Sequence, residues 1–206
     1  MTDPKAFGVL FVCTGNICRS PSAEGIFRAM AKKRGLDRLL HVDSCGTYGY
    51  HVGEPPDERA VQAARRRGYD LSTLRARKLE PADFQEFDYI LAMDGGHLEQ
   101  LRHYQPADSR AQVHMMMAFT PGSGTGQVAD PYYGNERGFE AMLDQLEVAC
   151  LALLDHLEDR LQQDRPAGRE ECPEPFLIGT VWRQRSARGS SNSARWPAAA
   201  SRTRAA

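Results

Sequence analysis

Two residues of this chain pair a nucleophile with a receptor for an oxyanion. Cys13 and Arg19 stand with five residues between them and sit in the segment Cys13-Thr14-Gly15-Asn16-Ile17-Cys18-Arg19-Ser20. A thiolate attacks electrophilic centres, and a guanidinium grips two phosphate oxygens through its planar fork, which a lysine ammonium does not. A tight loop leading into a helix N-terminus adds backbone N–H groups that converge on an anion. Thr14, Gly15, Asn16, Ile17, Cys18 and Arg19 are therefore the candidate phosphate-binding residues. Gly15 lets the backbone approach a phosphate, and Asn16 tolerates left-handed geometry. The helix end and Arg19 favour the thiolate of Cys13, and Ser20 is placed to hydrogen-bond that thiolate. A lone cysteine after a strand is usually a small buried hydrophobe. Here the Gly, Asn and Arg around it, followed by Ser-Pro, point instead to attack of Cys13 on a bound oxyanion.

Displacement of an alkoxide or phenolate needs a proton donor. Asp130-Pro131-Tyr132-Tyr133-Gly134 supplies a candidate. Pro131 stiffens the loop and pushes Asp130 toward extended backbone. Asp130 would protonate the leaving oxygen and then activate water against the thiophosphate. Alone this motif reads as a surface turn. Beside the Cys13 loop it reads as the acid.

Both motifs must be held by regular elements. Residues 7–12 (FGVLFV) form a continuous apolar run, as in a parallel strand buried on both faces. Ser20 then Pro21 marks a helix start, with the hydroxyl at or near the N-cap. Ala23, Ile26, Phe27, Met30 and Ala31 continue it at helical spacing, and Gly35 ends it. Residues 41–44 are a second strand. Residues 55–67 read as a helix with Ala60, Val61 and Ala64 inward and Arg65, Arg66 and Arg67 outward, a solvated face rather than a nucleic-acid patch. Strands follow at 87–93 and 112–116, with a helix at 95–105 between them; Met115, Met116 and Met117 fill core at the end of the last strand. Residues 138–161 carry Phe139, Met142, Leu143, Leu146, Ala149, Cys150, Leu153, Leu157 and Leu161 on one stripe, a long amphipathic helix. Alternating strands and helices predict a parallel α/β sheet, whose ligands bind beyond the carboxyl ends of the strands. Cys13 stands at such an end.

The 206 residues suffice for one α/β domain with a real core. A formal net charge of −1 offers no global argument for nucleic acid or an anionic membrane, yet it hides an asymmetry. Residues 1–159 hold 17 Lys and Arg against 23 acids, whereas residues 160–206 hold 9 Arg against 4 acids. From Pro175 onward there are six Arg, no Lys and no acid, among clusters of Ser, Gly and Ala. We therefore expect a phosphate-processing domain over residues 1–162 and a disordered Arg/Ser/Ala/Pro-rich extension over residues 163–206. No leader pattern opens the chain and no apolar stretch reaches the roughly 20 residues of a membrane helix. Five irregularly spaced cysteines do not make a secreted disulfide framework. The expected setting is a reducing cytoplasm, with a monomer or weak dimer and neither nucleic acid nor membrane as partner.

Together the two motifs resemble the low-molecular-weight protein tyrosine phosphatases. That family opens with an apolar strand and Cys-x-Gly-Asn-Ile-Cys-Arg-Ser-Pro and carries Asp-Pro-Tyr-Tyr-Gly near its end. The chain is also similar to it at Asp43-Ser44, Gly46-Thr47, His51-Val52-Gly53, Arg59-Ala60, Ala76-Arg77, Asp83-Phe84 and Phe87-Asp88-Tyr89-Ile90. The resemblance implies a three-layer α/β fold: a four-stranded twisted parallel sheet with helices on both faces. It implies Cys13 as nucleophile, Arg19 as phosphate clamp and Asp130 as general acid then base, with no metal and no cofactor. It implies that Asn16 and Ser44, with Ser20, hold the loop in shape, and that Cys18 can trap oxidised Cys13 in a reversible disulfide, although simple packing of Cys18 is an equal reading. Two positions depart from the pattern: Leu74 stands where a histidine commonly helps hold the loop asparagine, and Tyr50 stands for the pocket-lip tryptophan.

Phosphatases of phosphotyrosine and small aryl phosphates, including the acid phosphatase activity of this group, are the first expectation. Ile17 suits a phenyl ring lying in a slot between Tyr50 and Tyr132, and phosphoserine is too short to reach the loop. Phosphoarginine phosphatases of this group carry Thr where Ile17 stands; they are the alternative, with a non-catalytic phosphate-binding module behind them. Arsenate reductases of this fold need two further downstream cysteines, and residues 46–149 contain none. No Gly-x-Gly-x-x-Gly follows the first strand, against a dinucleotide site.

Overall fold

Val9, Leu10, Phe11 and Val12 are wholly buried. In the computed structural model, which describes residues 6–123 and 126–163, they lie in strand β1, Phe7–Cys13. Successive side chains of a strand point to opposite faces. Val9, Phe11 and Cys13 join one core cluster, and Leu10 and Val12 join the other. With both faces covered, the run can be apolar throughout.

The remaining elements are α1 (Arg19–Lys33), β2 (Leu40–Gly46), α2 (Glu58–Arg66), α3 (Asp83–Glu86), β3 (Tyr89–Ala92), α4 (Gly95–Tyr104), β4 (Gln112–Met115) with a 3-10 turn at Met116–Phe119, and α5 (Glu136–Gln163). All strand pairs are parallel, in the order β2-β1-β3-β4. Residues of α1, α2 and α5 pack with the cluster on one face, and Phe84, Phe87 and Leu101 of the α3 and α4 region pack with the cluster on the other. This is the expected three-layer arrangement. The chain goes from β1 outward to β2 and then returns to β3 on the opposite side of β1. The order reverses there, which opens a crevice beyond the carboxyl ends of β1 and β3.

The apolar stripe of α5 packs as its spacing predicts: Phe139, Met142, Leu143, Leu146, Ala149, Cys150, Leu153 and Leu157 are fully buried, while Leu161 is packed only in part. Two local expectations are corrected and a third, Ser20 at or near the cap of α1, is narrowed to near. In α2 the buried face is Ala60, Ala63 and Ala64 rather than Val61, which is half-buried. Arg67 does not simply face solvent; its guanidinium pairs with Glu140, Asp144 and Glu147 of α5. Ser20 is not the cap of α1. The cap position is Cys18, which makes no side-chain cap bond, because Ser20 is one residue inside the helix and spends its hydroxyl on the loop. The expected C-terminal extension lies, from residue 164 on, outside the described residues.

Candidate active site

The loop after β1 is shaped by where its carbonyls go. Cys13 O accepts from Thr47 N–H at 2.9 Å, Thr14 O from Tyr48 N–H at 3.0 Å, Ile17 O from Asp57 N–H at 2.8 Å and Cys18 O from Ser22 N–H at 3.2 Å. In a trans peptide the N–H points opposite to the C=O. The N–H groups of Thr14, Gly15, Cys18 and Arg19 therefore face the other way, into the concave side of the loop. Gly46 makes this wrapping possible, since a Cβ there would stand 2.7 Å from Thr14 O. Asn16 carries the turn at φ 58°, a left-handed geometry that Asn tolerates better than most residues.

Asn16 is also the brace. Its Nδ2 donates to Ser20 Oγ at 2.9 Å and to Ser44 Oγ at 2.8 Å, and its Oδ1 accepts from Arg77 N–H at 2.9 Å. The amide is thus satisfied on both sides, and Leu74 contributes to none of these bonds. Ser44 Oγ in turn donates to Glu24 Oε2 at 2.6 Å. Glu24 is buried, and burial raises its carboxyl above the usual carboxylate range. Arg28 stands 2.8 Å from its other oxygen, Oε1, but out of hydrogen-bonding alignment. Arg77, which supplies the N–H for Asn16, is itself pinned by Asp43 and Asp83 at 2.8 and 3.0 Å.

Cys13 is buried, and its Sγ lies 3.0 Å from Ser20 Oγ. Ser20 Oγ also lies 3.2 Å from Cys45 O. One hydroxyl proton serves one acceptor at a time. With a thiol at Cys13, the S–H donates to Ser20 and Ser20 donates to Cys45 O; with a thiolate, Ser20 can turn its proton to sulfur. Cys18 is buried too, and burial pushes its thiol up.

Arg19 leaves the first turn of α1 almost wholly buried. Its Nη1 donates to Asp94 Oδ2 at 2.7 Å, and its Nη2 donates to Asp130 Oδ2 at 2.6 Å and to Thr14 Oγ1 at 3.2 Å. Asp94 follows β3 at the other lip of the switch-point crevice and caps α4 through the N–H of His97. Burial acts to raise its carboxyl, but the His97 N–H and Arg19 prevail and hold it below the usual range. His97 Nε2 is 2.9 Å from Thr14 Oγ1, and its Nδ1 stands 3.0 Å from Asp94 Oδ1, off the hydrogen-bonding line. Nδ1 faces the Asp94 carboxylate and is assigned the ring proton, which leaves Nε2 of a neutral ring to accept from the Thr14 hydroxyl. Burial pushes the pKa of His97 down to about 4.

Cys13, Thr14, Gly15, Ile17, Cys18, Arg19, Tyr50, His51, Asp130, Tyr132 and Tyr133 line one cleft of about 280 Å³. Asn16, Ser20 and Ser44 lie behind the loop. All the candidate residues therefore meet at one place. Tyr50 stands out from the surface at 75% exposure and stacks on Tyr48 with ring centroids 5.4 Å apart. His51 lies over Gly15, with Nδ1 2.7 Å from Glu54 Oε2.

Sequence reasoning missed Asp94, His97, His51 and the Glu24 and Arg77 braces. Asp94 had a signal: an acid that closes an apolar strand and opens Gly95-Gly96 at a sheet whose first strand carries the thiol. His51 and Arg77 had only the family-like segments around them, Glu24 lies on α1 just past the loop and reads there as an ordinary helix residue, and His97 had no signal because it reaches the loop from α4, distant in the chain.

The comparisons agree with this fold. The family model described as low molecular weight phosphotyrosine protein phosphatase matches residues 8–165. A low molecular weight protein-tyrosine-phosphatase of Streptomyces coelicolor is 40% identical over 159 residues, covering 76% of this chain and 96% of that one. Among solved structures, a protein tyrosine phosphatase of Entamoeba histolytica superposes with a TM-score of 0.72 at 37% identity, covering 76% of this chain and 99% of that one. An arginine phosphatase of Drosophila superposes at 0.69 and 32% identity, covering 73% of this chain and 97% of that one. With a matching family model over most of its length, a relative aligned almost end to end and the same fold, the chain belongs to the low molecular weight phosphotyrosine protein phosphatase family.

Proposed function

We propose that the protein hydrolyses phosphotyrosine in proteins, and small aryl phosphates, through a cysteinyl-phosphate intermediate. The observation that carries this is one cleft lined by Cys13, Arg19 and Asp130 with Ile17, Tyr50 and Tyr132. Arg19 and the inward N–H groups bind the phosphate oxygens. Cys13 Sγ forms a bond to phosphorus as the ester P–O bond breaks, and Asp130 gives its proton to the departing phenolate oxygen. Asp130, now a carboxylate, takes a proton from water as that water attacks phosphorus. Cys13 leaves as a thiolate that receives the Ser20 hydroxyl proton in a hydrogen bond.

Ile17 and the two tyrosines favour an aromatic leaving group. The likeness to the Drosophila arginine phosphatase supports phosphoarginine as the second reading. Purified protein should turn over phosphotyrosine peptide much faster than phosphoarginine peptide, with arsenate reduction absent as a control; the reverse order would replace the first reading by the second. Cys18 is proposed as the thiol that condenses with peroxide-oxidised Cys13, releasing water and forming a disulfide.

A further inference from the structure

We infer that Arg59 is a positioning residue for the proton donor: it locks the loop that carries Asp130 to the loop that carries Cys13. The inference rests on the phosphatase reading above.

Asp57 is the anchor. Its backbone N–H donates to Ile17 O of the phosphate loop at 2.8 Å. Its carboxylate caps α2, accepting from Arg59 N–H at 2.9 Å, and receives the Arg59 guanidinium on both oxygens, Nε to Oδ1 at 3.0 Å and Nη2 to Oδ2 at 2.8 Å. The two-pronged geometry fixes the plane and direction of the guanidinium. From that fixed position the same group reaches the acid loop. Nη2 donates to Tyr132 O at 3.1 Å and Nη1 to Gly134 O at 3.4 Å. The guanidinium carbon lies 4.7 Å from the Phe139 ring centroid and 5.9 Å from that of Tyr132, within cation–π range.

The acid loop has its own internal bonds. Tyr132 N–H donates to Asp130 Oδ1 at 3.1 Å, and Gly134 N–H to Pro131 O at 2.9 Å. These set the shape of the turn and say nothing of its distance from Cys13. Upstream, Val128 N–H bonds Met93 O at 2.8 Å and fastens the start of the loop to the end of β3. Arg59 fastens its far end. The Arg19–Asp130 pair at 2.6 Å also joins the two loops, but a bound phosphate competes for that guanidinium. Arg59 is not drawn on by the phosphate, so its hold persists when substrate is bound. Its side chain is 42% exposed, where an ion pair adds little stability; its contribution is geometric. A displacement of about 1 Å at a catalytic group can cost on the order of 10²-fold in rate.

The test compares kcat/KM for phenyl phosphate and dinitrophenyl phosphate in the intact chain, for the wild type, Arg59→Gln and Asp57→Asn. Phenolate is a poor leaving group that needs the proton; dinitrophenolate departs without it. Arg59→Gln should lose about 10–100-fold on the phenyl ester and far less on the dinitrophenyl ester, and it should add no further loss to Asp130→Asn on the phenyl ester. Asp57→Asn keeps an acceptor for the helix cap, so it reports the same leaving-group bias should Arg59→Gln fold poorly. Equal losses on both esters, or none on either, overturn the role of Arg59. A wild-type protein inactive on both esters overturns the phosphatase reading itself.

Discussion

Arg19 Nη2 stands 2.6 Å from Asp130 Oδ2, so the guanidinium that would bind phosphate already binds the carboxyl that would deliver the proton. The same guanidinium holds Asp94 at 2.7 Å. The two carboxyls differ in setting: the Asp94 side chain is 26% exposed and that of Asp130 48%. Asp94, tucked under the loop and fixed by the N–H of His97, is the permanent counterion. Asp130, on the open side of the cleft, is the exchangeable one. On the proposed mechanism, a phosphate dianion entering the loop would take the place of Asp130 at Arg19 and free the acid for the leaving oxygen.

Removing the charge of Asp130 should therefore separate binding from chemistry. Asp130→Asn is expected to slow hydrolysis of an aryl phosphate by roughly 10²–10⁴-fold while vanadate, a five-coordinate phosphate mimic, inhibits more tightly than in the wild type. Inhibition constants beside single-turnover rates measure the two effects; weaker vanadate binding would contradict the competition between Asp130 and phosphate. Cys13→Ser should abolish turnover and leave the circular dichroism spectrum unchanged.

The three bonds of Asn16 and its left-handed backbone can be told apart by two substitutions. Asn16→Gly keeps the conformation and loses the bonds; Asn16→Ala loses both. Each leaves the hydroxyls of Ser20 and Ser44 without their donor, at about 1–3 kcal/mol for a buried unpaired group. Both variants should melt at lower temperature and turn over more slowly, with Asn16→Ala the worse. Equal melting temperatures for the wild type and both variants would mean that Asn16 does not brace the loop.

His97 couples stability to pH. Its folded pKa of about 4 lies below the ordinary 6.5 because burial disfavours the imidazolium. The unfolded chain therefore takes up the proton first. The stability contributed by the neutral buried ring is complete above about pH 6.5, declines as pH falls toward about 4, and changes no further below that. Asp94, also held low, acts in the same direction at lower pH. His97→Asn removes the titrating ring, so its melting temperature should fall less between pH 7 and pH 4 than that of the wild type. Thermal denaturation across that range reads the difference.

Peroxide tests the second loop cysteine. If Cys18 condenses with oxidised Cys13, the treated wild type regains activity on adding dithiothreitol, and mass spectrometry finds the Cys13–Cys18 disulfide. Cys18→Ser, which keeps the size of the side chain, should lose that recovery as Cys13 passes on to irreversible acids. Full recovery in Cys18→Ser would assign Cys18 to packing alone.

What the sequence determined by itself is whatever is contiguous or periodic. The Cys13 loop is read from eight successive residues because an anion cradle is local: a strand end, a tight turn and a helix start. The α5 stripe and the two-faced β1 run are read from spacing, because period and burial are tied by the geometry of one element. Tertiary structure alone decided what stands behind and beside that loop. Asp94 reaches Arg19 because the return from β2 to β3 puts the end of β3 next to the end of β1. Arg77, 61 residues from Asn16, supplies the N–H that closes the brace, and Arg59 reaches the acid loop at Tyr132 O, 73 residues away. Ser20 shows the same division: its place in a Ser-Pro helix start is local, but its use as a loop brace rather than a cap depends on Asn16, Cys45 and Cys13 arriving around it. Such partners carry no mark in the chain, since a hydrogen bond between distant segments exists only once the sheet order brings their ends together.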